Sequence, residues 1–175
     1  AAYAVQAGAI WVATNTDATL PTDRGVAPGN GSLVAAVQRA VGRAPDLVAG
    51  KPSAPLYLMC ADRLAMPASR VLAVGDRLDT DIEGAVAAGM DSLLVLTGVD
   101  DLAACLEAPP GQRPTWVAPD LRSLAADPAA PGVSLESLAA AVRAVHRARG
   151  AGAPDDEVAT LSESAESMLR EVTLR

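Results

Sequence analysis

The sequence predicts an α/β fold, a Rossmann-like parallel β-sheet with helices on both faces. Short apolar segments alternate with amphipathic helical segments over short connections, which implies right-handed crossovers between parallel strands. The run at residues 71–74, Val-Leu-Ala-Val, is continuously apolar, as in a strand that is covered on both faces. The 175 residues are enough for one domain of ordinary size with a hydrophobic core.

The first part of the chain is predicted to hold two strand–helix units. Its elements are a helix already under way at residues 1–7, a strand at 9–13, a helix at 33–41, a strand at 46–49 and a helix at 54–64. Ser32 is placed to cap the start of the helix at 33–41, and Gly42 to end it. The polar run after the first strand is expected to be a loop.

The second part continues the alternation. Its elements are strands at residues 71–74, 92–96 and 115–118, with helices at 81–88 and 102–106. Thr80 and Glu83 form a capping-box pattern at the start of the helix at 81–88, and Gly89 is expected to end it.

Beyond Asp127 the pattern changes. A Pro-Ala-Ala-Pro-Gly break at residues 128–132 precedes two predicted helices, at 135–149 and 157–169. These helices are interpreted as a solvated extension that covers the sheet, with docking or dimer contacts as the alternative. His146, among arginines in the first of them, is expected at the surface.

Composition excludes several classes of function. The formal charge of −7 is spread over mixed acidic and basic residues, and the chain has no Phe, so nucleic acid is not an expected partner. No apolar run approaches the roughly 18 residues of a membrane span, so no membrane is expected and the cytoplasm is the predicted location. Cys60 and Cys105 are expected to be buried thiols in a reducing compartment.

Lys51 is the only lysine among fourteen basic residues. A genomic bias toward arginine is the simplest explanation for the presence of only one lysine. The position of Lys51, directly after a predicted strand and Gly50, suggests a functional reason, because ligands bind at the carboxyl ends of the strands in open parallel sheets.

Acidic residues follow another strand end. Asp76 comes directly after residues 71–74 and Gly75, and Asp79 and Asp81 follow within five positions. Oxygen ligands of this kind suit Mg²⁺, and a lysine beside them suits a phosphoryl group. Asp79 and Asp81 also lie where a helix begins, so stabilisation of the helix dipole is the competing explanation for each.

These motifs, taken in order, resemble the haloacid dehalogenase superfamily, subfamily IIA. The resemblance rests on Gly50-Lys51-Pro52-Ser53, Val-Gly-Asp-Arg-Leu-Asp-Thr-Asp-Ile at 74–82, Leu-Thr-Gly-Val at 96–99 and Ala-Thr-Asn-Thr-Asp at 13–17, and it spans about residues 5 to 125. That subfamily includes phosphoglycolate, glycerol-phosphate, pyridoxal-phosphate and nitrophenyl-phosphate phosphatases. The fold implied is the C-terminal portion of the hydrolase core and of its α/β cap.

The resemblance implies roles for individual residues. Lys51 would neutralise the transferring phosphoryl group, Asp76 would ligate Mg²⁺, and Asp81 would help to hold a metal-bound water. Asn15 and Asp17 would bind substrate from a specificity loop of the cap, although Thr14-Asn15 also looks like the second core motif. The implied domains are the C-terminal part of the cap at 1–48, the C-terminal part of the core at 49–127 and a helical extension at 128–175.

The chain departs from the family pattern in one respect. It contains no Asp-x-Asp-Gly motif, whose first aspartate is the nucleophile in this family. The expectation is therefore part of a Mg²⁺-dependent phosphatase that hydrolyses a small phosphate monoester, of the glycerol phosphate or phosphoglycolate type, through an aspartyl-phosphate intermediate. The nucleophile would come from an N-terminal segment or another chain, and this chain alone would be inactive.

Two alternatives stand beside this reading. One is a non-catalytic module that binds metal or phosphate, or only completes a partner chain; a homodimer is a further expectation. The other, a phosphorylated receiver domain, is disfavoured because its lysine follows its aspartates, whereas Lys51 precedes Asp76.

Overall fold

Strands and helices alternate along the chain in a computed structural model, which describes residues 1–125 and 133–173 and confirms the α/β class. The strands are β1 Val12–Ala13, β2 Thr19–Thr22, β3 Gly25–Pro28, β4 Leu47–Val48, β5 Leu72–Gly75, β6 Asp91–Val95 and β7 Trp116–Ala118. The helices are α1 Ala2–Gln6, α2 Asn30–Val41, α3 Pro55–Arg63, α4 Glu83–Ala87, α5 Leu102–Glu107, α6 Leu135–Gly150 and α7 Asp155–Thr173. None of the described helices has the length and apolar character that a membrane span requires.

The described strands form three small sheets. Strands β5, β6 and β7 are parallel in that order, and β1 pairs in parallel with β4. The third sheet is the antiparallel hairpin of β2 and β3. The sequence predicts a loop for this segment, because its Thr, Pro, Asp and Gly residues are typical of turns.

The core lies on both faces of strand β6. Leu94 packs on one face with Val117 of β7, against apolar residues of α5, α6 and α7. Leu93 and Val95 point to the opposite face, where they pack with Ala118. Alternate side chains of a strand point to opposite faces, so this burial pattern makes β6 the buried centre of its sheet.

A second cluster joins α3 to α4. Ala61 of α3 packs with Ala85 of α4 and with Met90. Gly84 allows the close approach, because a Cβ atom there would overlap the ring of Tyr57. This packing fixes the start of α3 relative to the turn that precedes α4, and those two places carry the predicted site residues.

The start of α4 differs from the prediction. Residues Leu78–Ile82 form one π-helical turn before the α-helix begins, and the amides of Asp81 and Ile82 both donate to the carbonyl of Arg77. Thr80 is buried within this turn and does not cap it, and Glu83 accepts a hydrogen bond from Gln112. The predicted capping box is therefore wrong.

The predicted cap of α2 is also wrong, whereas the helix ends were predicted correctly. Gly29 is the N-cap of α2, and the Ser32 hydroxyl donates to the carbonyl of Ala18. Gly42 and Gly89 have φ values of 77° and 68°, the left-handed conformation that ends a helix.

Helix α6 is part of the core. Its residues Leu138, Val142 and Val145 are fully buried in the same cluster as Leu94 and Val117. Ser134 caps its start by accepting a hydrogen bond from the amide of Ser137. The helical tail is thus integrated more tightly than a solvated extension would be; the predicted break at residues 128–132 lies outside the described residues.

His146 is buried, so the prediction of a surface histidine is wrong. Its side chain is 5% exposed, and Nε2 lies 2.8 Å from the carbonyl oxygen of Cys105 in α5. Burial, with the charges of Arg113 and Arg149, lowers the pKa of His146 although the Cys105 carbonyl opposes the shift. Of the two thiols, Cys105 is buried as predicted, whereas Cys60 is exposed.

Acidification is expected to destabilise the fold through His146. Because the pKa of His146 is lower in the folded state, the unfolded chain takes up a proton first as the pH falls. The stability that the neutral, buried His146 contributes is complete above the unfolded pKa of about 6.5 and is lost as the pH falls below it. The midpoint temperature of thermal unfolding should therefore decrease as the pH is lowered from 7 to 5. A His146→Gln variant, which can still donate to Cys105, should show a shallower fall, and equal slopes in the two proteins would contradict the assignment.

Candidate functional site

The ends of strands β4 and β5 bring a cation and two carboxylates together. The Lys51 ammonium, three residues after β4, lies 2.7 Å from Oδ1 of Asp81 and 3.3 Å from Oδ2 of Asp17. Lys51, Asp17 and Asp81 are all partly buried. Three segments that are distant in sequence therefore meet beside the ends of strands β4 and β5.

Asp81 uses both carboxylate oxygens within the protein. Oδ1 accepts from Lys51, and Oδ2 accepts from the backbone amides of Asp76 and Arg77, at 3.2 Å each. Gly75 makes room for this arrangement, because a Cβ atom there would overlap the Asp81 side chain. Asp81 thus fixes Lys51 relative to the end of β5. The role expected from the sequence, binding a metal-bound water, stays a prediction.

Asp76 is held by the loop that follows β6. Its Oδ2 accepts the amide of Val99 at 3.0 Å, and its carbonyl accepts the amide of Asp100. A Cβ atom at Gly98 would overlap the Asp76 carboxylate, so this loop needs glycine for its close approach. Within the described part of the chain, Oδ1 of Asp76 accepts no hydrogen bond, which leaves it available to a ligand.

The donor set at Asp76 fits part of a magnesium site. Residues 1–125 and 133–173 contain no group of three or more His, Cys, Asp or Glu side chains placed to hold a metal ion. Mg²⁺ commonly binds only one or two protein carboxylates and completes its octahedron with water and phosphate oxygens. A single carboxylate with one free oxygen is therefore sufficient as the contribution of this chain to the coordination of Mg²⁺.

Lys51 is charged at neutral pH. Burial alone would lower the pKa of its ammonium, but the hydrogen bond and the charge of Asp81, together with Asp17, raise it above its usual value. The Tyr57 hydroxyl donates to the carbonyl of Asp81 at 3.0 Å, and burial and the Asp81 charge raise the pKa of Tyr57 to about 12. Tyr57 therefore stays protonated as a donor; the sequence contains no signal for this role.

The segment from Asn15 to Asp17 lies against Lys51. The amide of Thr16 donates to the Lys51 carbonyl at 3.2 Å, and Asn30 donates to the carbonyl of Asn15 at 2.8 Å. Asn15 Oδ1 accepts the amide of Asp17, so that carboxamide oxygen is used within the loop. Oδ1 of Asp17 is buried and has no hydrogen-bond partner among the described residues.

Comparison with known proteins identifies the family. Residues 48–124 match the model of the HAD-hydrolase-like family. A D-glycerol 3-phosphate phosphatase of Mycobacterium tuberculosis is 55% identical over 127 residues, which are 73% of this chain and 35% of that protein. An acid sugar phosphatase of Staphylococcus haemolyticus is 37% identical over 121 residues, 69% of this chain and 45% of that protein.

Solved structures agree with these matches. The glycerol phosphate phosphatase of Mycobacterium tuberculosis in complex with magnesium aligns with a TM-score of 0.65 at 55% identity, over 70% of this chain and 36% of that one. A 4-nitrophenylphosphatase of Thermotoga maritima also aligns with a TM-score of 0.65, at 35% identity, over 71% of this chain and 47% of that one.

The parallel strands β5, β6 and β7 and the family match over residues 48–124 together indicate a domain of the haloacid dehalogenase type. The chain belongs to the haloacid dehalogenase-like hydrolases, and its relatives support the predicted phosphatase subfamily IIA. It spans less than half the length of the relatives and structures named above.

Proposed function

We propose that this chain supplies part of the active site of a Mg²⁺-dependent phosphatase acting on a small phosphate monoester, of the glycerol phosphate or phosphoglycolate type. Hydrolysis would proceed through an aspartyl-phosphate whose aspartate lies outside this chain. The observation that carries the proposal is the contact of Asp81 with both Lys51 and Asp76, which brings the carboxyl ends of strands β4 and β5 together. Phosphatase relatives that match across this region support it.

Each residue has a distinct task in this proposal. Asp76 would hold Mg²⁺ through its free oxygen, and the metal would offset negative charge on the phosphoryl oxygens. Lys51 places a fixed positive charge beside the same group, and Asp81 holds that charge in place. The unpartnered oxygen of Asp17 suits a hydroxyl of the substrate, and Asn15 shapes the loop that presents Asp17.

A free sheet edge offers a place for the missing nucleophile. Among the described strands, β5 pairs only with β6, and its Leu72 and Val74 are each 41% exposed. A groove of about 250 Å³ runs beside this strand, with Lys51 and Tyr57 in its wall. A strand paired here in parallel with β5 would end beside Asp76, so an aspartate at its carboxyl end would face the metal and Lys51.

Assays of the intact protein and of residues 1–175 test the proposal. Glycerol 3-phosphate, phosphoglycolate and p-nitrophenyl phosphate would be supplied with and without Mg²⁺. We expect Mg²⁺-dependent phosphate release from the intact protein and none from residues 1–175, because uncatalysed hydrolysis is extremely slow and lysine plus metal lack a nucleophile.

Two outcomes would contradict the proposal. Activity of residues 1–175 alone would show that the nucleophile lies within this chain. Absence of activity in the intact protein on every ester, with Mg²⁺ present, would favour the alternative of a module that only binds metal or phosphate or completes a partner chain.

A further inference from the structure

Arg77 connects the end of β5 to the β2–β3 hairpin. Its Nη1 donates to the carbonyl oxygen of Thr19 at 3.2 Å and lies 3.1 Å from the Thr19 hydroxyl. On the other side, Nε and Nη2 donate to the two carboxylate oxygens of Asp79, at 3.2 and 3.4 Å. The Arg77 side chain is 11% exposed, so its guanidinium makes its contacts within the protein and is not a surface cation.

The hairpin has little apolar packing of its own. Leu20 is 56% exposed and Val26 is 76% exposed, and most of the other hairpin residues are exposed as well. The carbonyl of Ala18 accepts bonds from Gly29 and Ser32, which belong to the same part of the chain as the hairpin. Arg77, in contrast, contacts the hairpin from a distant segment of the chain, the one that follows β5.

Two cations therefore hold the stretch between Asn15 and Thr19. Lys51 pairs with Asp17, and Arg77 binds Thr19 two residues further on. Lys51 follows β4 and Arg77 follows β5 directly after Asp76, so both anchors belong to strand ends that form the candidate site. Fixing a loop at two nearby points lowers the entropy that a ligand must overcome when it binds there.

We propose that Arg77 is a positioning residue for substrate binding, which holds Asp17 and the hairpin over the phosphate site. This inference rests on the proposed phosphatase function. Arg77 acts through Thr19 and not on the phosphoryl group, since its guanidinium is already occupied by Thr19 and Asp79. Its charge is balanced by Asp79, as a structural cation requires.

Replacing Arg77 with Met in the intact protein tests the inference. Methionine cannot donate to Thr19, so the hairpin loses this anchor and we expect the KM for the phosphate ester to rise about tenfold or more. The Mg²⁺ concentration for half-maximal activity should stay unchanged, because Asp76 keeps its own contacts. Hydrogen exchange at the amides of residues 19–28 should accelerate.

Arg143→Met is the matched control. Arg143 also donates to a backbone carbonyl, that of Thr115, and to a carboxylate, that of Glu136, but it lies on α6 beside the start of β7. This variant should leave the KM and the exchange of the hairpin as they are. Arg77→Lys should rescue the KM only in part, because lysine lacks the planar fork that binds Thr19 and Asp79 together.

Several results would overturn the inference. A higher Mg²⁺ requirement with an unchanged KM would mean that Arg77 acts through Asp76. Unchanged exchange of the hairpin amides would show that Arg77 does not hold the hairpin, and this holds even if the protein hydrolyses no phosphate ester. If Arg77→Met does not fold, Arg77→Lys decides: it keeps the charge but lacks the planar fork, and no rise in KM or in hairpin exchange would refute the inference.

Discussion

Replacing Asp76 with Asn is expected to abolish Mg²⁺-dependent hydrolysis by the intact protein. Asparagine keeps an oxygen for the amide of Val99 but loses the charge that we assign to metal binding. A metal ion lowers the barrier by several kcal/mol, and each 1.4 kcal/mol is tenfold in rate, so we expect a loss of about 10³-fold or more. Initial rates measured across a Mg²⁺ titration give the result directly.

Asp120→Asn provides a matched control for Asp76. Asp120 follows the end of β7 much as Asp76 follows β5, but it is paired with the exposed Arg122. We expect wild-type rates from this variant and thermal midpoints within a few degrees of wild type for both proteins. Undiminished activity of Asp76→Asn would remove Asp76 from the metal site.

Lys51→Arg is expected to lower kcat by about 100-fold or more although the charge is conserved. The compact ammonium lies within 3.3 Å of both Asp81 and Asp17, and a planar guanidinium on a longer stem cannot occupy the same place. A fixed charge beside the reacting group acts through its position, and removing one such donor typically costs 10²–10³ in rate. Single-turnover rates with p-nitrophenyl phosphate would isolate the chemical step.

Arg63→Lys, the reverse exchange at an exposed position near the end of α3, is the control for Lys51. Its rate should match that of the wild type. If Lys51→Arg also matches the wild type, the single lysine of this chain reflects composition and not chemistry.

Sequence reasoning placed Lys51 and Asp76 in one candidate site because each polar residue follows an apolar run. Lys51 and Asp76 each come after a predicted strand and a glycine, and parallel strands end at a common edge. The structure accordingly brings Lys51 close to Asp81, thirty positions further along the chain. This proximity could be predicted because it depends mainly on the order of the elements; the roles of these residues stay predictions.

Features that depend on three-dimensional contacts could not be predicted in this way. The bond from Arg77 to Thr19 spans 58 positions, and nothing in the local sequence of either residue indicates it. Thr80 was read as a helix cap because it precedes Glu83 by three residues, but tertiary packing buries it in a π-helical turn. His146 lies among arginines, so only the position of α5 reveals that it is buried.

The burial of α6 has a practical consequence for anyone who shortens this protein. The family match ends at residue 124, which suggests Ala125 as a natural place to truncate. Such a truncation would remove Leu138, Val142 and Val145 and leave their apolar partners in contact with water. Burial of each such side chain is worth about 1.5–3 kcal/mol, and the total is comparable with the 5–15 kcal/mol by which a typical domain is stable. The end of the family match at residue 124 is therefore not the end of the cooperative folding unit.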